Sequence, residues 1–143
     1  MKRVVDANVW FAMLVEGHAH HLAAWEWWSK VGDGEAIWCR VTQMAVLRLL
    51  TSRVAMEGNP ISLEEAWEVW RQIEADPRGS FLEGEPEGLL DGWKRKVHGC
   101  ATTPNVWTDA YLAALAEGSG FGVVTFDKGF RQFRLDELLL LKG

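Results

Sequence analysis

The sequence predicts an α/β fold, in which helices cover both faces of a short and mostly parallel β-sheet. Short apolar runs typical of buried strands alternate with longer segments of helical periodicity, and this order indicates βαβ units. Gly and Pro residues punctuate the 143-residue chain at short intervals, without an internal repeat or a low-complexity linker. We therefore expect one domain over residues 1–143, large enough to fold without a disulfide or a structural metal.

Two strands and three helices are expected in the first part of the chain. The two later helices end at the breaker sequences Gly-Asp-Gly (32–34) and Gly-Asn-Pro (58–60). The first helix is apolar enough to be buried, the second is rich in Trp, and the third has one apolar side. In chain order these elements are strand 3–5, helices 9–15 and 20–31, strand 36–39 and helix 42–55.

The second part of the chain begins with a capping box. Ser62 lies three residues before Glu65, and in this pattern each side chain accepts a hydrogen bond from the backbone N–H of the other, which starts a helix. Gly118 ends the last helix, and the final apolar run is short enough for a buried or edge strand. The expected elements are helix 62–73, strand 80–82, helices 86–97 and 108–117, and strands 121–126 and 138–141.

The charge and the cysteine content argue against several classes of protein. With 15 Lys+Arg and 20 Asp+Glu the formal charge is −5, which disfavours nonspecific coating of nucleic acid but allows a basic rim around an acidic site. Cys39 and Cys100 lie far apart and form no Cys-x-x-Cys pair, so we expect free thiols. No apolar run is long enough to span a membrane and no export signal is recognisable, so we expect a cytoplasmic protein.

Three aspartates lie where the chain passes between predicted elements. Asp6 follows the first strand, Asp109 begins the last helix, and Asp127 follows strand 121–126. Because function in parallel sheets gathers at the carboxyl ends of the strands, we expect the three side chains to meet there. Carboxylates in one site repel each other unless a cation compensates them, and Mg²⁺ or Mn²⁺ prefers such hard oxygen ligands. This arrangement suits hydrolysis of phosphodiester bonds by metal-activated water.

Other interpretations of the aspartates stay open from the residues alone. Taken singly, each aspartate is more often a turn former or a helix-start residue than a ligand. Asp6, at a strand end, also occupies the position of the nucleophile in phosphoaspartate enzymes that act on small phosphate esters. Such an enzyme needs a second aspartate two residues later, and position 8 is Asn8. This difference weakens the phosphatase interpretation.

Four segments spread along the chain resemble those of one protein family. The segments are VVDANV (4–9), TQMAVLRLL (42–50), NVWTDAYL (105–112) and VVTFDKGF (123–130). In order and spacing they are similar to PIN-domain proteins of the VapC toxin type. The resemblance implies a PIN-like three-layer sandwich and a ribonuclease that depends on Mg²⁺ or Mn²⁺. It also implies the toxin of a type II toxin–antitoxin pair, with RNA as substrate and a cognate antitoxin as partner.

The resemblance assigns roles to individual residues. The family's metal ligands and catalytic acids match Asp6, Asp109 and Asp127. Polar residues that would orient these acids or a metal-bound water are Asn8, Thr108 and Thr125. Arg48 is a candidate from its position on the predicted helix 42–55 and not from the resemblance, and it would either contact a substrate phosphate through its planar guanidinium or form an ordinary surface ion pair.

The chain departs from the family at Ala45, where most members carry a glutamate. A methyl group cannot bind a metal ion, so a site with one metal is a possible outcome. Glu16, Glu83 and Asp91 are candidates to replace the missing carboxylate, although the spacing places none of them at the site. The loss also motivates an alternative function, that of a catalytically weak PIN-like module that binds RNA or protein.

Basic and aromatic residues outside the acidic positions indicate partners. The basic run 94–96 with His98 is either a solvated helix face or an RNA contact. We expect phosphate contacts from the cations that follow Asp127 rather than from this run. Aromatic residues grouped on a helix are usually core or a protein interface, and here we favour an interface. We therefore expect a homodimer joined by an antitoxin segment. The tryptophans concerned are Trp25, Trp27, Trp28, Trp67 and Trp70.

Overall fold

The centre of the fold is a five-stranded sheet in which every neighbouring pair of strands runs parallel. The computed structural model describes residues 1–143. The strands are β1 (Arg3–Val5), β2 (Ala36–Trp38), β3 (Gly79–Phe81), β4 (Gly122–Thr125) and β5 (Leu138–Leu140). They lie side by side in the order β3-β2-β1-β4-β5. The predicted α/β class is confirmed, and the sheet is entirely rather than mostly parallel.

Helices cover both faces of this sheet and give the fold three layers. Successive strand side chains point to opposite faces, so Val5 and Val124 pack into one core while Val4 and Val123 pack into the other. The helices are α1 (Ala7–Leu14), α2 (His21–Trp28), α3 (Arg40–Leu50), α4 (Leu63–Ala75), α5 (Leu89–Val97), α6 (Val106–Gly118) and the 3₁₀ helix Lys128–Phe133. Helices α1 to α4 close the first core, and α5, α6 and the 3₁₀ helix close the second. None of them combines the length and the apolar character needed to cross a bilayer.

Several helix ends differ from the predicted ones. Helix α3 ends at Leu50 rather than at residue 55, and the chain then turns through Glu57 and Gly58, both with positive φ. Helix α6 includes Gly118, and the left-handed residue beyond it is Gly120, with φ of 75°. The 3₁₀ helix has no counterpart among the predicted elements. These differences arise because turn geometry, rather than apolar periodicity, sets where each helix stops.

Four of the nine tryptophans fill the first core. The ring of Trp10 meets those of Trp28 and Trp70 edge to face, with centroids 5.5 and 6.0 Å apart, and Trp38 meets Trp70 in the same way at 5.1 Å. The expectation that Trp28 and Trp70 form a protein interface is therefore wrong, because both are buried. The tryptophans that remain exposed are Trp25, Trp67 and Trp107.

The capping box at the start of α4 is formed as predicted. The Ser62 hydroxyl accepts a hydrogen bond from the Glu65 backbone N–H, and a Glu65 carboxylate oxygen accepts one from the Ser62 N–H, both at 3.1 Å. We expect Ser62→Ala to lower the free energy of unfolding by about 1 kcal/mol, because the Glu65 N–H loses its partner. Urea denaturation measures the change, and Ser62→Asn, which restores an acceptor, is the control. Equal stability of Ser62→Ala and the wild type would contradict this role.

Candidate active site

Asp6 lies at the carboxyl end of β1 and caps α1. Its Oδ1 accepts a hydrogen bond from the Ala7 backbone N–H (2.8 Å), and its Oδ2 accepts one from the Thr125 hydroxyl (2.7 Å). The residue is only 8% exposed. Burial raises the pKa of Asp6 to about 6, the two hydrogen bonds oppose this rise, and the nearby charge of Asp127 adds to it.

Asp109 and Asp127 approach Asp6 from two other elements. Asp109 is in the first turn of α6, and Asp127 lies just beyond β4, where its Oδ1 accepts a hydrogen bond from the Gly129 N–H (2.8 Å). Burial raises the pKa of Asp109 to about 7, and the negative charges of Asp6 and Asp127 contribute to the rise. Burial is the main cause of both raised pKa values, the negative charges of the neighbouring aspartates add to it, and the hydrogen bonds do not offset the two effects.

All three aspartates line one cavity of about 610 Å³. Because β1 and β4 are neighbours in the sheet, Asp6 and Asp127 emerge side by side at its carboxyl edge, and α6 brings Asp109 to the same place. Among the other residues that sequence reasoning selected, Asn8, Arg48 and Thr108 also line the cavity.

The hydroxyl group of Thr125 connects Asp6 and Asp127 through hydrogen bonds. This fully buried residue donates its hydroxyl hydrogen to Asp6 and accepts hydrogen bonds from the Asn8 side-chain amide (3.3 Å) and the Asp127 backbone N–H (2.9 Å). The Asn8 side-chain oxygen accepts a further bond from the Phe126 N–H (3.3 Å). Thr125 therefore connects Asp6 to the backbone of Asp127, and Asn8, which also lines the cavity, holds Thr125 and the backbone of Phe126 in place.

Three polar residues of the cavity wall were missed by sequence reasoning, namely Thr42, Ser52 and Asn105. Thr42 lies three residues before Ala45 on α3 and Ser52 seven after it, so helical spacing is the signal that would have found them. Asn105 is the residue immediately before α6. Its place next to the helix that carries Asp109 is the corresponding signal.

No carboxylate takes the place of the glutamate that is missing at Ala45. Ala45 lines the cavity, but Glu16, Glu83 and Asp91 do not, and Glu83 belongs to a separate cavity beside β3. Arg48, one helical turn beyond Ala45, is exposed and forms no ion pair. Its guanidinium is therefore free to contact an anion in the cavity.

The donor set fits a hard divalent cation, although no three His, Cys, Asp or Glu side chains form a preassembled metal cage. Mg²⁺ keeps several of its own waters and needs only a few protein carboxylates. Burial, with the neighbouring negative charges, raises the pKa values of Asp6 and Asp109, and a cation in the cavity would stabilise both ionised carboxylates. The candidate ligands are Asp6, Asp109 and Asp127.

The sequence profile of the PIN domain matches residues 3–135 of the chain. The chain belongs to the PIN domain family. Ribonuclease VapC41 of Mycobacterium tuberculosis is 39% identical over 140 residues, which are 95% of this chain and 96% of that protein. Ribonuclease VapC29 of the same organism is 30% identical over 142 residues, 99% of this chain and 97% of that protein. The resemblance to VapC-type PIN proteins is thereby confirmed.

Solved structures share this PIN fold at low sequence identity. The crystal structure of Mycobacterium tuberculosis VapC20, a sarcin-ricin loop cleaving toxin, superposes with a TM-score of 0.67 and 17% identity, over 91% of this chain and 93% of that one. FitAcB from Neisseria gonorrhoeae gives a TM-score of 0.65 and 18% identity, over 95% of both chains. At these identities the superpositions establish the PIN fold alone.

Proposed function

We propose that the protein is an endoribonuclease that requires Mg²⁺ or Mn²⁺, and that it is the toxin of a type II toxin–antitoxin pair. The observation that carries the proposal is the group of three aspartates in one cavity of a PIN fold, two of them with raised pKa values. VapC41 and VapC29, to which the chain is similar over nearly its whole length, are ribonucleases. With cellular RNA as substrate, the expected site of action is the cytoplasm.

The proposal gives a role to six residues in and behind the cavity. Asp6, Asp109 and Asp127 would hold the cation, which supplies an activated water and neutralises charge on the phosphate that is attacked. Thr125 and Asn8 keep the first of these acids and the chain around Asp127 in place. Arg48, which lines the same cavity and forms no ion pair, would contact a phosphate oxygen.

The proposed antitoxin partner fits an exposed apolar strip between α3 and α4. Met44, Leu63 and Trp67 are exposed there around a shallow cavity of about 300 Å³. An amphipathic antitoxin segment would cover this strip and join two copies of the chain in a homodimer. Among the structures that share the fold, one is FitAB bound to a DNA fragment, with a TM-score of 0.64.

The deciding experiment measures cleavage of total cellular RNA by the purified protein. We expect cleavage with Mg²⁺ or Mn²⁺, none with EDTA, and none by Asp6→Asn with either metal, because the cation loses its most buried ligand. Asp91→Asn is the matched control, since Asp91 is exposed on α5 and lies outside the cavity. Cleavage that survives both EDTA and Asp6→Asn would refute the proposal.

The alternative function is a PIN-like module that binds RNA or protein with little catalysis. Ala45 is the observation that favours it, because no other carboxylate enters the cavity in place of the family glutamate. A folded protein that binds RNA but does not cleave it with either metal would favour this alternative.

A further inference from the structure

A second, shallower cavity lies on the other side of the first turn of α6. It has a volume of about 370 Å³ and is separate from the cavity that the aspartates line. Its lining combines apolar side chains, an indole ring and two side chains that can carry positive charge. These are Val97, Cys100 and Val106, then Trp107, and finally Lys94 and His98.

Trp107 is exposed to solvent, and contacts with Trp93 hold it in position. The residue is 61% exposed, yet its backbone carbonyl accepts a hydrogen bond from the Trp93 ring nitrogen (2.9 Å). The two rings meet edge to face with centroids 6.3 Å apart, and Trp93 meets Tyr111 in the same way at 5.4 Å. A large ring that is exposed but held in position is suited to stacking on a flat partner.

The chain around Trp107 is basic in a protein that is acidic overall. Residues 92–108 contain no Asp or Glu, although the whole chain has a formal charge of −5. Lys96 is occupied by Glu117, but Lys94 and Arg95 are exposed and form no ion pair. Unpaired cations beside an exposed indole favour a polyanion with flat bases over an apolar protein surface.

We propose that Trp107 stacks on a base of single-stranded RNA next to the phosphate that is cleaved, with Lys94 contacting the RNA backbone. This subsite rests on the proposed ribonuclease function and adds to it a residue that positions the RNA strand. Trp107 and Asp109 are two residues apart on α6 and face opposite sides of its first turn, across about 10 Å, the diameter of a helix. One strand passing over this turn reaches both.

The first test measures binding of a fluorescein-labelled single-stranded RNA by anisotropy, in EDTA so that no cleavage occurs. We expect Trp107→Ala to weaken binding about tenfold and Trp107→Phe to weaken it less than about threefold, because the smaller ring still stacks. Trp25→Ala is the matched control, since Trp25 is 50% exposed on α2, outside both cavities. Its affinity should equal that of the wild type.

A second test asks whether the indole contacts a base. RNAs with one abasic nucleotide at successive positions are titrated against the wild type and Trp107→Ala. We expect one position at which loss of the base weakens wild-type binding about tenfold and leaves Trp107→Ala unaffected, since the stacking partner is already absent. Equal effects of the abasic site in both proteins would show that the base and the indole do not meet.

The outcomes separate this subsite from the proposed ribonuclease function. Wild-type affinity and unchanged kcat/KM in Trp107→Ala would overturn the subsite while leaving cleavage intact. An absence of RNA binding by the wild type would also overturn the subsite. A protein-binding role for Trp107 predicts that same unchanged affinity. Conversely, Trp107-dependent binding without cleavage in the presence of either metal would support stacking of Trp107 on RNA and reject the ribonuclease function.

Discussion

Replacing Asp109 with Asn is expected to abolish RNA cleavage and, at the same time, to stabilise the metal-free protein at pH 8. Cleavage should fall about a thousandfold or more, because one charged ligand of the cation is lost. Stability should rise because the pKa of Asp109 is raised to about 7 by burial and by the charges of Asp6 and Asp127. Its ionised form is therefore a cost to the folded, metal-free protein.

The pH dependence of this stabilisation follows from the direction of the pKa shift. In the unfolded chain Asp109 ionises near the ordinary aspartate pKa of 3.8, and in the folded protein its pKa is about 7. The folded state binds the proton more tightly between these values, so the wild type loses stability as the pH rises through this window. Asp109→Asn lacks this loss. Its advantage should be absent below pH 4 and complete above pH 7.

Thermal unfolding in EDTA at pH 4 and pH 8 measures the effect. Asp109 is partly exposed, so after allowance for solvent screening we expect a gain of about 1 kcal/mol at pH 8, or ~4 °C in Tm. Saturating Mg²⁺ should raise the Tm of the wild type and leave that of the variant almost unchanged. Asp91→Asn, which removes a carboxylate from the first turn of α5, should show no such gain at pH 8. A variant that cleaves RNA, or that is less stable than the wild type at pH 8, would contradict the assigned role.

The sequence was sufficient to predict the fold class and the clustering of the three aspartates. Val4 and Val5 are consecutive apolar residues that face opposite sides of the sheet, which is typical of a strand between two helical layers. The same pattern recurs at Val123 and Val124. Parallel strands that end at Asp6 and before Asp127 must place both residues at one edge. Only local pattern and one topological rule were needed for this conclusion.

The remaining features depend on distances that no local pattern contains. Trp28 and Trp25 lie on the same helix, but only the packing of Trp10 against Trp28 decides which ring is buried. The raised pKa of Asp6 likewise depends on burial and on the position of Asp127, which is distant in sequence. From the sequence, Arg48 could either form a surface ion pair or line the cavity. The structure supports the second alternative, because Arg48 lines the cavity and forms no ion pair.

Ala45→Glu is expected to strengthen metal binding and to destabilise the metal-free protein. Ala45 lines the cavity, whose volume of about 610 Å³ accommodates a longer side chain. A fourth carboxylate adds a ligand for the cation, and we expect Mn²⁺ affinity to rise about tenfold, because affinity for hard cations follows the number of charged ligands. Without metal, the new carboxylate would repel the three aspartates, which already repel each other, so the Tm in EDTA should fall.

Isothermal titration with Mn²⁺ and thermal unfolding in EDTA measure the two opposite effects. Met44→Glu is the matched control, because Met44 is the adjacent residue of α3, is 44% exposed and lies outside the site cavity. Since Arg48 lies three residues beyond Ala45, the new carboxylate has a competing partner, and the double variant Ala45→Glu/Arg48→Ala should bind Mn²⁺ at least as tightly. If neither Ala45→Glu nor the double variant binds Mn²⁺ more tightly than the wild type, position 45 does not face the cation. The site would then depend on Asp6, Asp109 and Asp127 alone, since no other carboxylate lines the cavity.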